Sequence, residues 1–168
     1  MASSSNTDYS LQSRTDKSRW KTNIKCLQLN LQHSRVATLN LTQIILKYNI
    51  DIALVQEPST VLNVAGFPKS FRIFVHGSNR KRSDIIVNNN EVDVIAITQV
   101  LNDVILTKIR YEGLTFYGAS VYLPIDRDIE RDLETIEDIL QLTKGDGLIL
   151  AIDSNARSKL WFEHWRNS

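Results

Sequence analysis

Cysteine occurs once in this chain, at position 26, so no disulfide can close within it. With only three histidines beside it, there is no Cys/His cluster of the kind that holds structural zinc. Cys26 lies inside an apolar, strand-like run and reads as a buried structural thiol, which fits a reducing compartment. No apolar run approaches the length that spans a membrane, and the N-terminus lacks the apolar core of a secretory signal. The expectation is an intracellular protein without a membrane partner. Charge of neither sign prevails: 20 Lys and Arg against 19 Asp and Glu leave a net +1. Any contact with nucleic acid must therefore come from a local patch and not from the overall field. Glycine is scarce, at six residues, and forms no nucleotide-binding loop; Gly145-x-Gly147 lacks the rest of that pattern and precedes a strand. There is no internal repeat and no linker.

What is present suits one globular domain. The 168 residues are 42% hydrophobic and 23% charged, enough for a sizeable core. Residues 1–22 are rich in Ser, Thr, Asn, Asp and basic side chains and read as a flexible tail, with the domain occupying 23–168.

The run Ile24 to Leu29 reads as a first strand that delivers Asn30 at its end. Ser34 is a candidate N-cap for a helix carrying Ala37, Leu41, Ile44, Ile45 and Tyr48 at helical spacing, with Asn49 placed to end it. Ile52 to Val55 is a second strand, terminated by Gln56-Glu57-Pro58 because proline holds its predecessor extended and donates nothing to a ladder. Further strands are expected at Phe71 to Val75, Ile85 to Val87, Val92 to Thr98, Val104 to Ile109 and Leu114 to Val121, and their short connections imply antiparallel pairing. Ile129, Leu133, Ile136 and Leu140 then mark a second amphipathic helix. Leu148 to Ile152 closes the series as a buried strand with water on neither face. The fold class is α/β, more fully α+β.

Asp153 and Asn155 follow that last strand at once. Two residues apart in an extended chain, they are expected to point the same way, toward one site. Such a pair suits a phosphodiester: the carboxylate can orient or deprotonate a water, and the carboxamide can donate to a phosphate oxygen as charge builds there. The plain alternative is an Asx turn capping the strand. Asn30, Glu57 and Tyr122 also follow apolar strands, where loops gather at one end of a sheet and ligands bind. Glu57 is a hard oxygen ligand suited to Mg²⁺ or Mn²⁺. Arg80, Lys81 and Arg82 form the one tight basic cluster, read either as a hairpin tip that touches a phosphate backbone or as a solvated loop guarding a sheet edge.

The ordered set Leu29-Asn30, Val55-Gln56-Glu57-Pro58, Val121-Tyr122-Leu123-Pro124 and Asp153-Ser154-Asn155-Ala156-Arg157-Ser158-Lys159-Leu160-Trp161 resembles the endonuclease/exonuclease/phosphatase superfamily. More narrowly, it resembles the apurinic-endonuclease-like endonuclease domain of non-LTR retrotransposons, over roughly Ile24 to Trp161. The resemblance implies a four-layered α/β sandwich and divalent-metal-dependent cleavage of a DNA strand, with Mg²⁺ or Mn²⁺ as cofactor. It implies Glu57 as the metal-binding carboxylate with Asn30 beside it and Tyr122 at the phosphate. It further implies Asp153 as the residue that positions the attacking water and Asn155 as the amide on the scissile phosphate. The partners implied are DNA and a reverse transcriptase domain in the parent element, with a nuclear location.

Two departures accompany it. Gln32 stands where some members carry a second acidic residue. The family also completes its site with a further Asp and a Ser-Asp-His run that this chain does not contain; His33, His76 and His164 match none of it. The sequence thus reads as a domain incomplete at its C-terminus and inactive in that form. Two other readings stay open: a phosphoinositide or sphingolipid phosphoesterase of the same superfamily, and a decayed, non-catalytic fragment binding nucleic acid weakly through Arg80, Lys81, Arg82 and Arg157.

Overall fold

Among the described residues two four-stranded sheets pack face to face with one helix on each outer face. The structure is a computed structural model that describes residues 23–59, 67–75, 82–97 and 103–155. In chain order the elements are β1 (Cys26–Asn30), α1 (Arg35–Tyr48), β2 (Ile52–Gln56), β3 (Arg72–Val75), β4 (Ser83–Val87), β5 (Asp93–Ile97), β6 (Val104–Tyr111), β7 (Leu114–Tyr122), α2 (Ile129–Leu142) and β8 (Gly147–Asp153). One sheet runs β1-β2-β4-β3 and the other β5-β6-β7-β8.

Strand direction follows from what connects the strands. Each parallel pair, β1 with β2 and β7 with β8, is joined through a helix, as a crossover requires. The remaining pairs are antiparallel, as expected for β5 to β7. The Asn155 and Arg157 end of the closing run, the 1–22 tail and the basic pair Arg80 and Lys81 are divided by this description: Asn155 is described, and the others lie outside the described residues.

The alternation of side chains along each strand assigns them to layers. On β2, Ile52 and Leu54 join Ile85, Val87, Ile105, Ile109 and Ala151 in the core between the sheets. Ala53 and Val55 face the other way, under Leu41 and Ile45 of α1. On β6, Ile105 and Ile109 point inward while Val104 and Leu106 meet Ile139 of α2. Both faces of the inner strands are covered, which is why β2 is apolar from Ile52 to Val55 and β4 from Ile85 to Val87. Gly118 on β7 leaves room for the side chain of Ile109 on the neighbouring strand β6, since an added Cβ would stand 2.9 Å from Ile109 Cδ1.

The helix ends are set by local chemistry. Ser34 Oγ accepts from Ala37 N at 3.2 Å, and Asn49, at φ 50°, closes α1 in the left-handed region that Asn tolerates. Asp128 caps α2.

Three expectations are corrected. Cys26 is exposed on the edge strand β1 and is not a core thiol. β8 is also an edge strand among the described residues, so Leu148, Ile149, Leu150 and Ile152 are half-buried and only Ala151 is fully covered. On α2, Ile129, Leu133 and Leu140 are exposed, and the helix instead buries Thr135 and Ile139. That rotation is tolerated because Thr135 Oγ1 donates back to Arg131 O at 2.8 Å, and Thr143 Oγ1 to Ile139 O at 2.9 Å, so the buried hydroxyls are satisfied. The same face brings Asp132 to Arg127, which also binds Asp103.

Candidate functional site

The C-terminal ends of β1, β2, β7 and β8 lie together, and there the inner layer changes from apolar to polar. Asn30 ends β1, Glu57 follows β2, Tyr122 ends β7 and Asp153 ends β8. Register sets Asn30 beside Gln56 and Tyr122 beside Asp153. Across the two sheets, Gln28 Nε2 donates to Ile152 O at 2.9 Å and Ser83 Oγ to Asp103 O at 2.8 Å.

Asn30 joins the two carboxylates. Its Nδ2 donates to Glu57 Oε2 at 3.2 Å and also to Asp153 Oδ2, while its Oδ1 accepts from Gln32 N at 2.7 Å. A neutral amide with two N–H groups thus stands between two like charges that would otherwise repel.

Glu57 adopts φ 47°, a left-handed conformation costing a non-glycine residue on the order of 1 kcal/mol or more. The backbone holds it there from both sides: Glu57 N donates to Arg82 O at 2.8 Å, and His33 N donates to Glu57 O at 2.8 Å. That conformation turns the carboxylate out of the β2 line and toward Asn30.

Tyr122 is 8% exposed, with the Arg82 guanidinium 4.9 Å above its ring centroid. Burial pushes the phenol above its ordinary pKa and the adjacent Glu57 carboxylate pushes it further, while Arg82 and Asn155 act the other way. It is therefore a neutral hydrogen-bond donor across the physiological range.

Asn155 does not continue the strand. It sits at φ 45°; its N–H donates to Asp153 Oδ1 at 3.3 Å and its Nδ2 to Leu123 O at 3.1 Å. The expected same-facing extended pair is replaced by an Asx turn, which still leaves Asn155 beside Asp153 and Tyr122. Asp153 in turn fixes the next loop, as Leu123 N donates to its carbonyl at 2.8 Å.

All five sequence-derived candidates, Asn30, Glu57, Tyr122, Asp153 and Asn155, thus meet at one place. Two residues join them unanticipated. Arg82, read as part of a hairpin tip, covers Tyr122. His33 lies with Nε2 3.5 Å from Glu57 Oε1 and Nδ1 3.2 Å from Pro58 O. Its signal is faint: a turn of two left-handed residues, Gln32 at φ 49° and His33 at φ 53°, folds it back, a conformation in which His is enriched but Gln is not.

For a metal, the donor set is hard oxygen, with Glu57 the half-buried carboxylate. Among the described residues no group of three or more His, Cys, Asp or Glu side chains gathers as a cage.

No protein-family model matches the chain, and no curated protein matches it. Solved structures do. The endonuclease domain of TRAS1, a telomere-specific non-LTR retrotransposon, superposes with a TM-score of 0.73 at 28% identity, over 83% of this chain and 62% of that one. D. rerio TDP2 complexed with a single-strand DNA product gives 0.62 at 17% identity, over 80% and 62%. An endonuclease/exonuclease/phosphatase family protein from Bacteroides thetaiotaomicron gives 0.60 at 12% identity, over 79% and 63%. The chain spans less than two thirds of the length of each of these three structures. Its fold is that of the endonuclease/exonuclease/phosphatase superfamily, and within that fold it is similar to a non-LTR retrotransposon endonuclease domain.

Proposed function

We propose that the chain is a metal-dependent phosphodiesterase, the DNA-nicking endonuclease domain of a non-LTR retrotransposon. The observation that carries this reading is the Asn30 amide shared by Glu57 and Asp153, which brings carboxylates from two sheets to one point beside a neutral phenol. The 28% identity to the TRAS1 endonuclease domain favours DNA as substrate over a phosphoinositide or sphingolipid.

In this reading Glu57 holds Mg²⁺ or Mn²⁺, and Asn30 orients its carboxylate. When bound, the ion would polarise the phosphoryl oxygen and stabilise the departing alkoxide. Asp153 orients and deprotonates the attacking water. Tyr122 and Asn155 donate to phosphate oxygens where charge develops, and Arg82 adds a fixed positive charge over Tyr122.

Among the described residues no imidazole stands against Asp153. Glu57, Tyr122, Asp153 and Asn155 supply part of a catalytic set, so where the sequence leads to an expectation of inactivity we propose slow residual nicking, short of a competent nuclease, from these 168 residues. A reverse transcriptase domain in the same parent protein and a nuclear location accord with the reading. Among the described residues no helix is long and apolar enough to cross a membrane.

The test is nicking of supercoiled DNA at enzyme excess, with Mg²⁺ and with chelator, beside a panel of phosphoinositide and sphingolipid substrates. Metal-dependent open circles with no lipid turnover are expected. Lipid hydrolysis without nicking would overturn the assignment of substrate.

A further inference from the structure

We propose that Gln56, bonded to Ser120, is a positioning residue that fixes the separation of β2, β7 and β8 and so makes Glu57, Tyr122 and Asp153 meet. Gln56 is fully buried, an uncommon place for this residue type. Its Nε2 donates to Ser120 Oγ at 2.9 Å on β7 and to Ala151 O at 3.3 Å on β8. Ser120 Oγ donates in turn to Val55 O at 2.9 Å, back on β2. These three bonds form a closed circuit across the two sheets.

Each member of the circuit lies next to a site residue. Gln56 immediately precedes Glu57. Ser120 and Tyr122 are two apart on β7, and Ala151 and Asp153 two apart on β8, so each pair shares a face of its strand. The distance from anchor to functional group is one or two residues, which leaves little slack.

Position 56 continues the inward face of Ile52 and Leu54, where an apolar side chain would keep the sheets together. Hydrophobic contact is non-directional and tolerates sliding, whereas a hydrogen bond weakens steeply as its angle departs from linear. Gln56 also carries a penalty: among the described residues its Oε1 has no partner, and a buried unpaired acceptor is destabilising. A polar group that costs stability in the middle of a core, while bonding the three strands that present the site, is explained by geometry and not by packing.

The test rests on the proposed function in its metal arm alone. The 168-residue chain is compared with the double variant Gln56→Leu/Ser120→Ala and with Ser120→Ala alone, which removes a single hydroxyl. Three quantities are read: thermal unfolding, Mn²⁺ affinity, and, by crystallography of each protein, whether Asn30 Nδ2 bonds both Glu57 and Asp153. The double variant should unfold cooperatively near the Tm of the parent, because donor and acceptor are removed together. In it Glu57 or Asp153 should withdraw from Asn30 Nδ2 beyond hydrogen-bond distance, and Mn²⁺ should bind about tenfold more weakly. A folded double variant in which both carboxylates still share Asn30 Nδ2 would overturn the proposal and make Gln56 a packing residue. Should the double variant not fold, Ser120→Ala decides the matter: lengthening or loss of either bond supports the proposal and an unchanged pair of bonds overturns it. Absence of Mn²⁺ binding by the parent chain would remove the metal reading, and the Asn30 bonds would still decide the role of Gln56.

Discussion

Glu57 and Asp153 belong to different sheets, yet their carboxylates share one hydrogen-bond donor, the Nδ2 of Asn30. Two negative groups so placed repel, the amide offsets this only in part, and in the proposed function a cation held at Glu57 relieves the rest. Asn30→Ala should therefore lower Mn²⁺ affinity by about tenfold, as loss of an orienting partner does. It should also lower the Tm in chelator, and Mn²⁺ should raise the Tm of the variant less than that of the parent chain, because stabilisation by a ligand falls with its affinity. Equal Mn²⁺ affinity in the two proteins, by calorimetry, would show that Asn30 does not orient Glu57.

Asp153 and Asn155 are coupled through the turn that binds Asn155 N–H to Asp153 Oδ1. Single alanine substitutions should each reduce single-turnover nicking by about a hundredfold. The double substitution should cost little more than the worse single one, since both serve the same transition state. Additive losses would place the two side chains in separate steps.

Asp132 supplies a pH signature. Burial raises its pKa and the nearby Asp103 and Asp128 carboxylates add to the rise, while Arg127 lowers it. A carboxyl whose folded pKa lies above its unfolded one binds more protons when folded, so its ionisation costs stability as pH rises through that interval. Asp132→Asn should consequently raise the Tm at neutral pH, with the gain shrinking as pH falls to the ordinary aspartate range. A gain independent of pH would mean that charge is not the cause.

Gly118→Ala should destabilise the sandwich by about 1–3 kcal/mol, because the added methyl meets Ile109 Cδ1 in a packed interior. Combining it with Ile109→Val should recover part of the loss, which denaturant unfolding of the three variants measures.

Much of this arrangement is visible in the sequence, for physical reasons particular to each residue. Asn30, Glu57, Tyr122 and Asp153 each interrupt an apolar run at its end, and a strand end is where a polar side chain can reach a shared site. The caps Ser34 and Asn49 are read from residue type alone, because their chemistry is local. What depends on the other sheet is not written locally. Gln56 looks like part of a strand-terminating Gln-Glu-Pro segment, and its partner Ser120 lies 64 residues away. Arg82 belongs by sequence to a basic cluster at a turn, and only the antiparallel docking of β4 on β2 carries it to Tyr122. The apolar positions of α2 recur at helical spacing, but the face that lies on the sheet is that of Thr135 and Ile139, with Asp132 beside Arg127.

The most direct measurement is metal-dependent nicking of supercoiled DNA at enzyme excess by the parent chain, Glu57→Ala and Asp153→Ala, each confirmed as folded. Glu57 and Asp153 forming one phosphodiesterase site predicts slow open-circle formation that requires Mg²⁺ or Mn²⁺ and falls about a hundredfold or more in either variant. Nicking that survives both substitutions, or no nicking by the parent chain at any metal concentration, would contradict it.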